Sequence, residues 1–114
     1  MDNSVINEDY IALEDALKRI GGNMKLYKQL LKRFTDSGYM AKINEAIQNG
    51  NTEEALQHAH ALKGVSANLS LIKIQSITAE LEGKLKEQQD YSVCLSELEQ
   101  AYAATEEQIT TIFE

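Results

Sequence analysis

An all-α fold is predicted for this chain of 114 residues, and three observations predict it. Apolar residues recur at helical spacing through most of the sequence. The chain contains no proline, which helix interiors reject and which most β-rich domains use at turns. It shows no strand alternation, internal repeat or low-complexity linker. Because 43% of its residues are hydrophobic, it can bury one core, and we expect a single domain over residues 1–114.

The N-terminal third of the sequence predicts two helices. The first is short and is expected over residues 7–20, where Gly21-Gly22 ends the apolar stripe. Asn23 is a candidate N-cap for the second, since its side chain can accept a hydrogen bond from the first helical turn. This second helix is expected over residues 24–48, and Gly38 can bend it or mark a break within it.

Three further helices are predicted in the remaining sequence, each behind a polar start signal. Asn51 and Glu54 have the spacing of a capping box. Ser70 and Ser92 are candidate N-caps for the two helices that follow. Four amphipathic helices of similar length with short connections favour an antiparallel up-down-up-down four-helix bundle with an additional short N-terminal helix. The last three helices are expected over residues 52–68, 71–88 and 92–113.

Charge and composition exclude several classes of function. A net charge of −7 argues against binding to nucleic acid and to anionic membrane surfaces. Cys94 is the single cysteine, which excludes an internal disulfide and a cysteine-based zinc cluster. No apolar run approaches the ~20 residues of a membrane span, and the first residues, MDNSVINEDY, are unlike a signal peptide. We therefore expect a cytoplasmic protein, and we also expect it to be a monomer.

The stretch around His60 carries the chemistry of the chain. His60 lies about 160° around the helix from the core position Leu62, so its imidazole is expected to face solvent. Lys63 and Gly64 follow one turn later on the same face. A glycine within a helix costs roughly 1 kcal/mol relative to alanine, and we expect it to leave room for the backbone of another protein. The predicted partner contacts on this face are Leu56, Lys63, Gly64 and Ala67.

A neutral imidazole is a good nucleophile toward phosphorus near neutral pH. Lys63 can act as a point charge beside the oxygens of a transferring phosphoryl group. The sequence has no phosphate-binding loop and no acidic cluster suited to magnesium. We therefore expect the metal and the leaving carboxylate to come from a partner, which describes a phosphoryl carrier without a cofactor of its own better than an enzyme. His58 diverges from His60 by ~200° on a helix, which is poor geometry for a shared metal.

The motif HALKGVSANLS resembles the H-x-L-K-G-x-x-x-x-[LIV]-G signature of the histidine-containing phosphotransfer (HPt) domain family of two-component signalling. The flanking segments GGNMKLYKQLLKRF and AELEGKL agree with the family, and the resemblance covers roughly residues 5–113. It implies a four-helix bundle with an extra N-terminal helix, and His60 as the phosphorylated residue. It also implies a receiver domain of a response regulator and a sensor histidine kinase as partners.

The same resemblance assigns roles to individual residues. Lys63 and Gly64 match the lysine and the docking glycine of the family. Glu82 lies where family members carry a Gln or Glu that hydrogen-bonds the histidine ring, and a carboxylate there would accept from Nδ1–H and leave Nε2 free as the nucleophile. Ser70 departs from the motif, which usually ends with glycine, and this departure affects the turn between two helices.

The sequence leaves several functions open. The favoured one is a phosphorelay intermediate, in which His60 accepts a phosphoryl group from a receiver phosphoaspartate and passes it to another receiver. A second is the phosphoacceptor input domain of a chemotaxis-type histidine kinase. Glu82 supports this function, because a carboxylate at this position resembles the version found in chemotaxis kinases. A third is a helical adaptor without chemistry. A metal-dependent enzyme that uses His58 and His60 is disfavoured by their divergence.

Overall fold

The computed structural model describes residues 6–113, and this part of the chain is helical and has no strand. The prediction of an all-α fold is therefore confirmed for these residues. The predicted domain range 1–114 also includes residues 1–5 and 114, which lie outside the described part. No helix within 6–113 is both long enough and apolar enough to cross a bilayer. The helices are α1 (Leu13–Arg19), α2 (Met24–Ser37), α3 (Tyr39–Gln48), α4 (Thr52–Asn68), α5 (Ile72–Lys86) and α6 (Ser92–Phe113).

The helices surround one core along an elongated body of 42 × 21 × 20 Å. Helix α4 packs against α3 and α5, α5 packs against α6, and α6 packs against α2. Burial of a Leu or Ile side chain contributes about 1.5–3 kcal/mol, so the apolar stripes of these helices supply most of the packing energy. Fully buried members of the core include Leu31, Ile43, Leu62, Leu81 and Leu98.

Helix α4 has a capped start and an inner face of mostly small side chains. The side chain of Asn51 accepts a hydrogen bond from the backbone N–H of Glu54 at 3.0 Å and donates another to the Glu54 carboxylate. The small side chains allow α3 and α5 to approach closely, and the opposite face of α4 is left toward solvent. The buried residues of α4 are Ala55, Ala59, Leu62 and Ser66.

The range 24–48 contains two helices, α2 and α3, because the chain breaks at Gly38, which is one of the two alternatives that the sequence left open there. Gly38 has φ 61° and ψ 41°, a left-handed conformation in which it both ends α2 and precedes α3. Apolar periodicity continues on both sides of the break, so the glycine rather than the periodicity marks its position. The predicted cap at Asn23 is confirmed, since its Oδ1 accepts from the N–H of Leu26 at 3.0 Å.

The N-terminal helix is shorter than the expected range 7–20. It begins at Leu13, and the preceding residues form a turn in which Tyr10 N–H donates to Asn7 O at 3.0 Å. The N–H of Ala12 donates to the carbonyl of Ser70 at 3.0 Å. Because this tertiary hydrogen bond uses the N–H that a longer helix would need, the helix cannot extend back through Ala12.

The sequence predicted Ser70 as the N-cap of the following helix, and this prediction is wrong. Leu71 occupies that position, and α5 runs from Ile72 to Lys86 rather than over residues 71–88. Ser70 instead adopts φ 57°, in the left-handed region that favours glycine, and its hydroxyl donates to Asp15 Oδ2 at 2.8 Å. The conformation gives a physical reason for the glycine that usually ends the motif.

Ser92 was also predicted as an N-cap, and it is instead the first residue of α6. The Asp90 carboxylate accepts from the backbone N–H of Ser92 at 2.9 Å and from its hydroxyl at 2.6 Å. An acidic side chain just before the helix also interacts favourably with the positive end of the helix dipole. The start of α6 therefore depends on Asp90.

Two glycines are expected to respond to alanine in opposite directions. Gly38→Ala should lower the free energy of unfolding by about 1 kcal/mol, because a Cβ is disfavoured in the left-handed conformation. Gly64→Ala should raise it by about 0.5–1 kcal/mol, because Gly64 lies within α4 and a Cβ there meets nothing within 4 Å. Urea unfolding of both variants measures the difference, and equal shifts of the same sign would contradict the backbone argument.

Candidate functional site

His60 stands on the outer face of α4, near the middle of the helix. Its side chain is 73% exposed, while Leu62 on the opposite face is fully buried. This division follows from the helical repeat, because residues two apart point to nearly opposite sides. The imidazole is therefore held on a rigid element and remains open to another molecule.

Glu82 reaches the His60 ring from the neighbouring helix α5. Its side chain is only 6% exposed, and its Oε2 lies 2.9 Å from His60 Nδ1. An ionised carboxylate only accepts hydrogen bonds, so this contact assigns the ring proton to Nδ1. Nε2 then carries a lone pair on the side of the ring that points away from Glu82.

Lys63 shares the same carboxylate. Its Nζ donates to Glu82 Oε1 at 2.5 Å, and its side chain is 36% exposed. The two oxygens of Glu82 thus contact two residues one turn apart on α4, one oxygen for each. The arrangement places an ammonium group beside the exposed ring and fixes it through a buried partner.

The pKa of the Glu82 carboxyl is lowered from its ordinary value. The hydrogen bond from Lys63 is the largest cause, the hydrogen bond from His60 adds to it, and the charges of Lys63 and Lys86 act in the same direction. Burial acts against them by disfavouring the charged form. Glu82 is therefore ionised at neutral pH and can orient the ring as an acceptor.

Lys86 is a further cation at the site that the sequence analysis missed. Its Nζ lies 4.0 Å from Glu82 Oε2, and its side chain is 63% exposed. The available signal was the spacing, because Glu82 and Lys86 are four residues apart on one helix, with the acid before the base. The relevance of that spacing becomes visible only after Glu82 is placed against His60.

Besides Lys63, three residues are predicted to contact a partner, and they lie on or beside the His60 face. Gly64 is exposed, and an added Cβ would meet nothing within 4 Å. Leu56 is half-buried and packs against the core, and Ala67 is half-buried near the end of α4. The structure gives their positions, and their contact with a partner stays a prediction.

A groove is lined by α2 and by α4, the helix that carries His60, together with residues at the end of α1 and the start of α3. Leu30 and Arg33 line it from α2, and Val65 and Asn68 line it from α4. The sequence predicted that apolar residues of the first helices contribute to partner docking without assigning them. Leu30 is a candidate for such a residue.

His58 does not join His60. Its ring is half-buried, and Nε2 lies 3.4 Å from Glu54 Oε1, four residues earlier on α4. The two rings thus face different acids on different helices. Within residues 6–113, no group of three or more histidine, cysteine, aspartate or glutamate side chains is arranged to hold a metal ion.

Comparison with known proteins gives one finding. A family model described as the Hpt domain matches residues 29–108, a range that contains the whole constellation of His60, Lys63 and Glu82. Neither the curated proteins nor the solved structures compared with the chain gave a match.

Glu82→Gln should change how stability depends on pH. Because the pKa of Glu82 in the folded protein lies below its unfolded value, the ionised group stabilises the fold above pH ~4.5, and this contribution is lost as pH falls through the folded pKa. The stability of the wild type relative to the variant should therefore shrink between pH 6 and pH 3. Urea unfolding at several pH values measures it; a constant difference would contradict the assignment.

Proposed function

The chain belongs to the Hpt domain family, and on this premise we propose that His60 is the phosphoryl carrier of a two-component phosphorelay. Hpt domains transfer phosphoryl groups in two-component signalling and are carriers rather than catalysts. In the proposed relay, a receiver-domain phosphoaspartate or a sensor histidine kinase donates to His60, and the aspartate of another receiver domain accepts from it.

One observation carries this proposal: among residues 6–113, the exposed ring has a hydrogen-bond partner at one nitrogen and none at the other. Glu82 accepts at His60 Nδ1 at 2.9 Å and thereby holds the tautomer in which Nε2 has the lone pair. The ring is also 73% exposed, so a second protein can reach Nε2. A histidine with both nitrogens hydrogen-bonded would lack the first property, and one turned into the core would lack the second.

The transfer step requires no base from this chain. The Nε2 lone pair forms a bond to phosphorus while the bond from phosphorus to the aspartyl oxygen breaks, and that electron pair stays on the departing carboxylate. The ring keeps its proton on Nδ1 and gains positive charge, which the Glu82 carboxylate balances. The reverse step returns the phosphoryl group to an aspartate by the same path.

Lys63 is proposed to stabilise the charge on the phosphoryl oxygens. Its ammonium already lies at Glu82, beside the ring, and a lysine side chain is flexible and carries three donors. The magnesium ion and the reacting aspartate are proposed to arrive with the receiver domain. A chain that supplies the histidine and the lysine, and takes the metal ion and the aspartate from its partner, acts as a carrier.

The helices are proposed to form an antiparallel up-down-up-down bundle in which α2 and α3 together make the first member, with one domain over residues 1–114. The packing of α3, α4, α5, α6 and α2 in sequence around the core supports this arrangement. A receiver domain is proposed to cover His60, with Leu56, Gly64 and Ala67 as contacts. We propose that the chain acts as a monomer in the cytoplasm. The net charge of −7 disfavours nucleic acid and anionic membranes as partners.

Glu82 favours a second candidate function. A carboxylate at this position resembles the version found in chemotaxis-type kinases. In those proteins a kinase domain phosphorylates the histidine of an input domain from ATP. Incubation with ATP and a kinase domain of that type distinguishes it from the relay, in which a phosphorylated receiver suffices as donor. A kinase domain in the same reading frame would also favour this second function.

His60→Gln should abolish phosphorylation, and His58→Gln should not. With a radiolabelled phosphorylated receiver as donor, the wild type and His58→Gln are expected to gain an acid-labile, base-stable label, which is the behaviour of phosphohistidine. The His58 variant is a matched control because that ring lies two residues away on the same helix and contacts Glu54 instead.

Two results would count against the carrier function. One is a label that survives in the His60 variant, and the other is a wild type that accepts no phosphoryl group from any phosphorylated receiver or kinase. If signalling and partner binding continue unchanged in the His60 variant, the adaptor function is favoured instead.

Gly64→Gln should slow transfer from a receiver by roughly tenfold or more, because a long side chain beside His60 displaces the incoming domain from the reactive distance. Phosphorylation by the small donor phosphoramidate should stay near the wild-type rate, since that donor needs little room. Gly64→Ala is the control for helix propensity. Near-normal transfer from the receiver to the glutamine variant would refute the close-approach argument.

A further inference from the structure

Lys86 stands next to the site without a direct hydrogen bond to it. Its Nζ lies 4.0 Å from Glu82 Oε2, which is too long for a hydrogen bond and within the range of an ion pair. Lys63 contacts the other oxygen, Oε1, at 2.5 Å. The two lysines therefore approach the one carboxylate through different oxygens, and only one of them is in close contact.

In the unphosphorylated protein, the ammonium group of Lys63 lies at Glu82 and not at the place that the phosphoryl group would occupy. Lys63 donates to Glu82, while a phosphoryl group on Nε2 lies on the side of the His60 ring away from Glu82. For Lys63 to stabilise the phosphoryl oxygens, its ammonium must leave Glu82 at least in part. A buried carboxylate that loses its cation is strongly destabilised, because few water molecules can replace it.

Resting on the proposed function, we infer that Lys86 is a positioning residue that takes over Glu82 when Lys63 turns to the phosphoryl group. The movement needed is about one ångström, and the exposed, flexible side chain of Lys86 permits it. No covalent bond to Lys86 forms or breaks. Glu82 keeps a cation throughout, continues to accept from His60 Nδ1, and Lys63 is released for the transferring group.

The inference separates two states of the protein. Without a phosphoryl group there is one anion at the site, Glu82, and Lys63 alone can satisfy it. With a phosphoryl group there are two anions, and both compete for Lys63 unless Lys86 is present. Loss of Lys86 should therefore affect the phosphorylated state selectively, whereas a merely structural role would affect both states.

The test uses phosphoramidate, which requires no partner protein. Its P–N bond breaks, ammonia departs, and the phosphoryl group joins His60 Nε2. At fixed phosphoramidate and ammonium concentrations, phosphorus NMR gives the equilibrium ratio of phosphorylated to free chain. Lys86→Gln should lower this ratio about threefold to fivefold, the range of one partly exposed ion pair. Lys86→Arg should restore it. The unfolding midpoint of unphosphorylated Lys86→Gln should fall only by the small amount that an exposed ion pair contributes, because Lys63 still contacts Glu82.

Lys84→Gln is the matched control. It removes the same charge from the same last turn of α5, but the nearby charge of Lys84 acts on Asp90 and Cys94, away from the site. The ratio of phosphorylated to free chain should remain at the wild-type value in Lys84→Gln. The effect of Lys86→Gln should also disappear in a Lys63→Gln background, because no lysine is then left to be released; a direct attraction between Lys86 and the phosphoryl group would persist there.

The outcomes separate the inference from the proposed function. If His60 is phosphorylated but Lys86→Gln behaves like Lys84→Gln, or its effect persists in the Lys63→Gln background, the role of Lys86 is overturned and the carrier function stands. If the wild type accepts no phosphoryl group from phosphoramidate or from a phosphorylated receiver, both are overturned.

Discussion

A buried carboxylate must be compensated, and the carboxylate of Glu82 is compensated mainly by one neighbouring helix. Its two oxygens contact His60 and Lys63, both on α4. The same contacts therefore fix α5 against α4, select the tautomer of the ring and hold an ammonium group beside it. A shift of one residue along either helix, about 1.5 Å, would break this arrangement. The position of the site thus depends on how the two helices pack.

Helix α4 divides its faces between packing and chemistry. Its inner face consists largely of small buried residues such as Ala55 and Ala59, which allow the neighbouring helices to come close enough for a side chain of α5 to span the gap. Its outer face carries His60 and the open space at Gly64. A helix optimised for stability alone would not place glycine there, so the composition of the outer face is better explained by access than by folding.

Local signals in the sequence account for much of the fold and for part of the site. Apolar periodicity predicts the helices, and the capping chemistry at Asn23 and Asn51 marks two of their starts. The exposure of His60 follows from its position relative to Leu62. Local signals did not supply the backbone conformation of Ser70 or the contacts between distant residues. The left-handed conformation of Ser70 leaves the apolar pattern intact, the late start of α1 at Leu13 depends on a hydrogen bond from Ala12 N–H to the Ser70 carbonyl, and the place of Lys86 depends on how α5 packs.

Ser70 has the backbone conformation of a glycine, and its hydroxyl is bound to Asp15, 55 positions away. If position 70 were glycine, that hydrogen bond would be lost and position 15 would no longer need an acceptor for it. The two positions are therefore expected to covary among relatives of this chain, serine occurring with an acceptor at position 15. Such a pair would connect the N-terminal helix with the α4–α5 turn in an alignment, although neither residue contacts the histidine.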